Sequence, residues 1–260
     1  MVVRNMEQVE NKNIAVEIKG IKKSFQVGEN NVQVLFGIDS KIYEGEFVML
    51  VGPSGCGKST LLHSIYGLEE PTEGNIIIDN EDIWAHTKNW RAQFRNEKVG
   101  FIPQQTFWIK SLTVIENMAI PAVIAGESFH SGIERAAKLI ELVGMSRWAD
   151  YRPYDLSGGQ QQRIALARSL LLNPKFIIAD EPTGNLDQKA GDTLLALLQE
   201  INRKFNITIL MVTHDQDQYK FASRIIKMVD GKIISDNQNK HSMDNIAKNS
   251  MGEILENAEA

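Results

Sequence analysis

One cysteine, Cys56, is all that 260 residues contain, which excludes an internal disulfide and suits a reducing cytosol. No run approaches the roughly 18 uncharged apolar residues that a membrane-spanning helix needs. The opening residues Arg4-Asn-Met-Glu-Gln are polar where a secretory leader would be apolar, so the expectation is a protein that stays where it is made. A basic surplus is missing too. Lys and Arg number 28 against 33 Asp and Glu, and nothing in that balance asks for nucleic acid. With 43% hydrophobic and 23% charged residues the composition is that of an ordinary globular protein. The length allows one large α/β domain with an inserted lobe, or two small domains.

Residues 1–13 are polar with few aromatics and read as a disordered segment. Short or alternating apolar runs at Ile14–Ile18, Val32–Ile38 and Ile76–Ile78 predict a small, mostly antiparallel sheet. Four other runs, Phe47–Val51, Val99–Ile102, Phe176–Ala179 and Ile207–Val212, are continuously apolar, as strands covered on both faces by helices are. Between the second and third of these lie helical patterns at Val114–Ala125, Gly132–Gly144 and Gly158–Leu172, which predict a helical lobe over about 105–172 inserted in the core. From Gln238 the chain turns polar, with a weakly amphipathic piece at Met243–Leu255 that reads as a lightly docked tail.

Directly after the strand at Phe47–Val51 comes Gly52-Pro-Ser-Gly-Cys-Gly-Lys-Ser59, with the spacing G-x-x-x-x-G-K-S of a phosphate-binding loop. In the loop Gly52, Pro53, Ser54, Gly55, Cys56, Gly57 the three glycines let the backbone curl so that successive N–H groups point at one anion. Lys58 is placed to reach the outer phosphates and the Ser59 hydroxyl to ligate Mg²⁺. The segment from Ser59 through Thr60 to Gly67 starts a helix whose positive end faces the phosphates. Cys56 inside this loop serves as a small space-filler, although a thiol reagent there would block nucleotide binding. In open parallel sheets ligands bind beyond the carboxyl ends of the strands, so Gln104, Asp180-Glu181 and Thr213-His214, which follow the other three runs, belong to one group. Asp180 stands where such NTPases carry the carboxylate that holds Mg²⁺, and Glu181 is suited to orienting the attacking water.

A second motif, Leu156-Ser-Gly-Gly-Gln160, precedes a helical pattern that ends at Asn173-Pro174. Ser157 and Gln160 fit a capping box, and Gly158 and Gly159 leave backbone donors bare for an anion. Here the chain resembles the nucleotide-binding subunit of ABC (ATP-binding cassette) transporters, over about Ile14 to Ser235. The resemblance implies a P-loop NTPase, RecA-like α/β core (14–237) with an antiparallel β subdomain and a helical subdomain, binding ATP and Mg²⁺. It implies that Ser157-Gly-Gly closes over the γ-phosphate of an ATP held by a partner's loop, and that His214 contacts that phosphate. Gln104 resembles the glutamine that senses Mg²⁺ and water, with Gln105 the competing choice; Pro103 departs from the family's usual residue. Asp187 resembles the acid that crosses the dimer interface, and Phe25 the aromatic that stacks on adenine.

The same resemblance implies a head-to-tail dimer with a second copy of the chain and integral-membrane permease subunits as partners, on the cytoplasmic side of the cell membrane. Leu112-Thr-Val-Ile-Glu-Asn-Met-Ala-Ile-Pro121 and Glu181-Pro-Thr-Gly-Asn-Leu-Asp187 are similar to the lipoprotein-release and macrolide-export group. Phe107 and Trp108 are either exposed contacts for the membrane partner or buried within the lobe. An importer ATPase would often carry a C-terminal regulatory domain, for which the tail is short. A soluble cassette acting on DNA or ribosomes would show a long coiled coil or two cassettes with basic surfaces.

Overall fold

Two long strands, β1 (Ile14–Val27) and β2 (Asn30–Tyr43), pair as an antiparallel hairpin. In this computed structural model the described residues are 13–239; 1–12 and 240–260, with the Met243–Leu255 piece, lie outside them. The hairpin extends past its apolar pattern because its outer half, around Gln26–Asn31, is exposed on both faces. The chain then crosses to β3 (Phe47–Val51), runs through α1 (Lys58–Ile65), and returns with β4 (Glu73–Ile78) and β5 (Glu81–Asp82). Together these make a four-stranded antiparallel sheet of order β2-β1-β4-β5.

The core sheet has β3 at its centre. α2 (Lys88–Lys98) leads into β6 (Val99–Ile102), and after the lobe come β7 (Phe176–Asp180), α6 (Gln188–Phe205), β8 (Thr208–Thr213), β9 (Arg224–Val229) and β10 (Lys232–Gln238). The order is β10-β9-β3-β8-β7-β6, parallel except for β10. Phe47, Met49 and Val51 face one apolar cluster, shared with the lobe and α6. Val48 and Leu50 face the other, shared with α1 and the small sheet. Both faces are thus covered, as the unbroken apolar run requires.

The lobe consists of α3 (Val114–Ile124) and α4 (Phe129–Leu142), after which α5 (Gly158–Ser169) runs back onto β6. α3 starts with a capping box: Glu116 N donates to Thr113 Oγ1, and Thr113 N donates to Glu116 Oε2. The apolar runs do not announce α2, α6, β9 or β10. In α2 only Arg91 and Phe94 are buried, and Arg224 and Lys227 interrupt the pattern of β9. α6 had a readable signal, with Leu194, Leu198 and Ile201 buried at helical spacing. Gln238, expected to open the polar tail, is the last residue of β10 and donates to Glu46 Oε1 at 3.2 Å. No helix among the described residues is long and apolar enough to cross a membrane.

Candidate active site

The phosphate loop, Asp180 and His214 sit at the carboxyl ends of β3, β7 and β8, three neighbouring strands in register. The loop cannot be built without its glycines. Gly52 has φ 153°, and a Cβ there would lie 2.1 Å from Met228 O of β9; Gly57, at φ 97°, caps α1 with Leu35 Cδ2 2.9 Å from where its Cβ would be. α1 has no acidic residue in its first turn, so nothing offsets the positive end directed at the loop. Lys58 is 5% exposed, and its Nζ donates to the carbonyls of Gly52 and Pro53 at 2.9 Å each. Cys56, read as a space-filler, is buried with Sγ 4.0 Å from that Nζ. Pro53, Ser54 and Gly55 are exposed, with open space beside Gly55, and Ser59 and Thr60 open the helix.

Ser59 Oγ, at the start of α1, donates to Asp180 Oδ1 at the end of β7 at 3.4 Å. A hydroxyl and a carboxylate at this spacing are hard oxygen donors that fit Mg²⁺, which takes one or two protein ligands plus phosphate oxygens. Among the described residues no group of three His, Cys, Asp or Glu forms a metal cage, so phosphates and water would have to complete the shell. One turn beyond Ser59 on α1, His63 Nε2 lies 3.5 Å from Asp180 Oδ2. The hydrogen bond to Asp180 holds the imidazole above its usual pKa against the opposing effect of burial. The sequence reading missed His63, although its i+4 spacing from Ser59 was available.

Glu181 has φ 43°, a left-handed backbone that non-glycine residues rarely adopt. Its N–H donates to Val212 O at 3.1 Å, its carbonyl accepts from Gly184 N at 3.0 Å, and its Oε1 is 3.2 Å from His214 Nδ1. The two side chains expected at the γ-phosphate are therefore in contact. Gln104 is exposed beyond β6, and its Nε2 lies 3.1 Å from where a Gly184 Cβ would be, so it leans toward the Glu181 loop. Gln162 of α5 donates to the carbonyls of Pro103 and Gln104 at 3.1 and 3.0 Å, tying that loop to the helix after the Ser-Gly-Gly motif. Gln218, also unforeseen, grips the loops after β7 and β8. Phe25 is half-buried within β1, with Lys23 Nζ 4.8 Å above its ring.

The second motif forms its own basin. Ser157 caps α5 with the expected box: Gln160 N donates to Ser157 Oγ at 3.3 Å, and Ser157 N donates to Gln160 Oε1 at 2.9 Å. Asp187 caps α6 by accepting from Ala190 N at 2.8 Å. The two helix starts pack so closely that a Cβ on Gly159 would lie 2.9 Å from Ala190 Cβ, while Gly158 is exposed. Ser157, Gly159, Gln160, Arg163, Asp187 and Lys189 line a cavity of about 200 Å³ that no residue of the phosphate loop joins. The fold brings Lys58, Ser59, Asp180, Glu181 and His214 together, and Ser157, Gln160 and Asp187 together, as two groups. Phe107 and Trp108 divide between their two readings. Phe107 is 76% exposed, whereas Trp108 is buried and donates from Nε1 to Gln161 Oε1 at 2.9 Å.

The chain is similar to known proteins over most of its length. Residues 35–184 match the family described as ABC transporter. The lipoprotein-releasing system ATP-binding protein LolD of Geobacter metallireducens is 39% identical over 85% of the chain and 98% of its own length. The macrolide export ATP-binding/permease protein MacB of Syntrophobacter fumaroxidans is 40% identical over 84% of the chain, which spans 31% of that longer protein. Among solved structures, the ATP-binding cassette MJ0796 of Methanocaldococcus jannaschii, a dimer in a post-hydrolysis state bound to ADP and Pi, superposes with a TM-score of 0.79. The identity there is 37%, covering 86% of this chain and 98% of that one.

Proposed function

The chain belongs to the ABC transporter family as an ATP-binding, ATP-hydrolysing subunit of lipoprotein-release and macrolide-export type, and we propose that two copies close head to tail on two ATP molecules. The observation that carries this is the separation of the two groups. Ser157 and Asp187 line a basin apart from Lys58 and Ser59, so one chain has a cradle for the phosphates and a lid that covers some other cradle. A symmetric pair completes both sites at once. The dimeric cassette MJ0796 supports that arrangement.

Within each composite site Lys58 exchanges its carbonyl partners for the outer phosphate oxygens. Ser59 and Asp180 are the residues that would hold Mg²⁺, with Gln104 at its edge, and the ion would neutralise charge on the β- and γ-phosphates. Glu181 orients the attacking water and accepts its proton, while His214 beside it donates to the γ-phosphate. Ser157, Gly158, Gly159 and Gln160 supply backbone and hydroxyl donors from the other copy, and Asp187 lines the crossing. Phe25 stacks on the adenine.

The partner is an integral-membrane permease at the cytoplasmic face of the membrane, to which this chain binds peripherally. Exposed Phe107 and Ile109, 76% and 47% accessible, flank buried Trp108 beside the Gln104 loop and form the contact surface. The fusion of ATP-binding and permease parts in MacB's name supports such a partner. The decisive experiment replaces Glu181 with Gln: ATP binding persists, hydrolysis falls by at least about 100-fold, and a nucleotide-trapped dimer accumulates on gel filtration. Normal turnover in that variant would remove Glu181 from its role.

A further inference from the structure

Glu181 and His214 sit on different loops, and Glu181 holds a left-handed backbone that non-glycine residues rarely adopt. Something must therefore fix the spacing between them. Their direct contact, 3.2 Å between Glu181 Oε1 and His214 Nδ1, joins two side chains, and that of His214 is 62% exposed, too loosely held to set it. Gln218, in the short 3₁₀ helix Gln216–Phe221 that follows β8, touches neither residue but holds the neighbours of both. Its Oε1 accepts from Thr213 Oγ1 at 3.0 Å and from Thr183 Oγ1 at 3.2 Å. Its Nε2 lies 2.9 Å from Thr183 Oγ1 and 3.0 Å from Asp215 Oδ2.

Thr183 is two residues after Glu181; Thr213 and Asp215 stand on either side of His214. Both threonines are buried, at 8% and 3% exposure, so each hydroxyl needs a partner inside the protein. A carboxylate only accepts, so Asp215 fixes which end of the amide is nitrogen and leaves the oxygen for the threonines. Asp215 is held in turn, because its N–H donates to Thr213 Oγ1 at 3.1 Å and its Oδ1 accepts from Asp217 N at 2.9 Å. The clasp is thus polarised and closed.

We propose that Gln218 is a positioning residue that locks the Glu181 loop to the His214 loop, so that both reach the γ-phosphate as one unit. This rests on the assignment of Glu181 and His214 to the γ-phosphate, and Glu181→Gln, measured alongside, reports on that assignment separately. Gln218→Ala frees both loops. A shift of this kind lowers kcat by about 10-fold to 100-fold with the Kd for a fluorescent ATP analogue unchanged, while the Thr183 and Thr213 hydroxyls, left without their acceptor, lower the melting temperature by a few degrees. Gln218→Glu keeps an acceptor for the threonines but sets a second carboxylate against Asp215, and it fails similarly. Adding Asp215→Asn restores a donor opposite the new acceptor and keeps Oδ1 for Asp217, so the double variant recovers kcat to within about threefold of wild type, since the contact with residue 215 is reversed and Thr183 Oγ1, which also accepts from Gln218 Nε2, can donate to the new carboxylate instead.

In the Glu181→Gln background, Gln218→Ala has little further effect on single-turnover hydrolysis, since the carboxylate whose spacing from His214 it sets is gone. Three results would overturn the proposal: unchanged kcat in Gln218→Ala, a loss of kcat matched by an equal loss of nucleotide binding, or no rescue by Asp215→Asn. Full turnover in Glu181→Gln would instead strike the assignment on which the proposal rests, whatever Gln218 does.

Discussion

Arg224 joins a buried carboxylate, a more exposed one and a backbone carbonyl, and removing it gives a prediction that can be worked from distances. Its Nη1 donates to Glu46 Oε2 and to the Lys41 carbonyl, each at 2.8 Å; Nε and Nη2 grip both oxygens of Asp236 at 2.7 Å. Asp236 and Glu46 hold the guanidinium well above its ordinary pKa. Asp236 has a third of its side chain in water, so its share is small, but Glu46 is 6% exposed. In Arg224→Ala, Glu46 keeps only Tyr43 N at 3.0 Å and Gln238 Nε2 at 3.2 Å. An uncompensated buried carboxylate of this kind costs about 3–5 kcal/mol. For a domain of this size that lowers the melting temperature by roughly 6–20 °C. Arg224→Met combined with Glu46→Leu removes both charges and is expected to recover most of that loss. Differential scanning calorimetry of the single and double variants gives the answer. A single variant within about 1 kcal/mol of wild type, or a double variant worse than the single, refutes the reasoning.

Trp108→Ala is expected to cost about 3–5 kcal/mol, because it empties a buried site under Arg168; Phe107→Ala leaves urea unfolding unchanged and weakens retention on membranes containing the permease. Ser157→Arg fills the basin beside Asp187 and is expected to abolish hydrolysis by the dimer without affecting nucleotide binding to the single chain, which equilibrium binding and turnover assays separate. The His63–Asp180 contact stabilises the fold below the unfolded pKa of about 6.5, and this is lost as pH rises through the raised folded value. His63 is half-exposed, so the effect stays below about 1 kcal/mol. The melting-temperature gap between wild type and His63→Asn is therefore expected to be widest below about pH 6.5 and to shrink as pH rises above it; a gap that widens with pH reverses the sign and defeats the argument.

What the sequence made legible was whatever is encoded over a few consecutive residues. The loop after Phe47–Val51, Asp180 at the end of its strand and the Ser157–Gln160 box all depend on spacing within one segment. Features set by distant residues were not legible. Trp108 and Phe107 differ in burial because Gln161 and Arg168 of α5 receive the Trp108 ring, whereas Arg168 takes only the backbone carbonyl of Phe107. Lys58 looks like a side chain that extends outward, yet it turns back to two carbonyls of its own loop. β9 stayed hidden because its two charges, Arg224 and Lys227, read as surface, whereas Arg224 is 7% exposed and satisfied by partners nearly 200 residues upstream and 12 downstream. Gln218 had no local signal, since its partners become neighbours only when β7 and β8 lie side by side.

Gly231 N–H, in the turn between β9 and β10, donates to Cys56 O at 3.1 Å, and β3 has β8 and β9 as its two neighbours in the sheet. On the ribosome this imposes a timetable. The strand and loop that cradle the phosphates are made early, but both flanking strands and the turn that steadies the loop come from the last quarter of the described chain. The early segment must wait, with its apolar face a target for chaperones, until more than 150 further residues have emerged. A chain that stalls before residue 231 would carry the whole phosphate motif and still lack a finished nucleotide pocket, so ATP binding reports that synthesis has run through the fold.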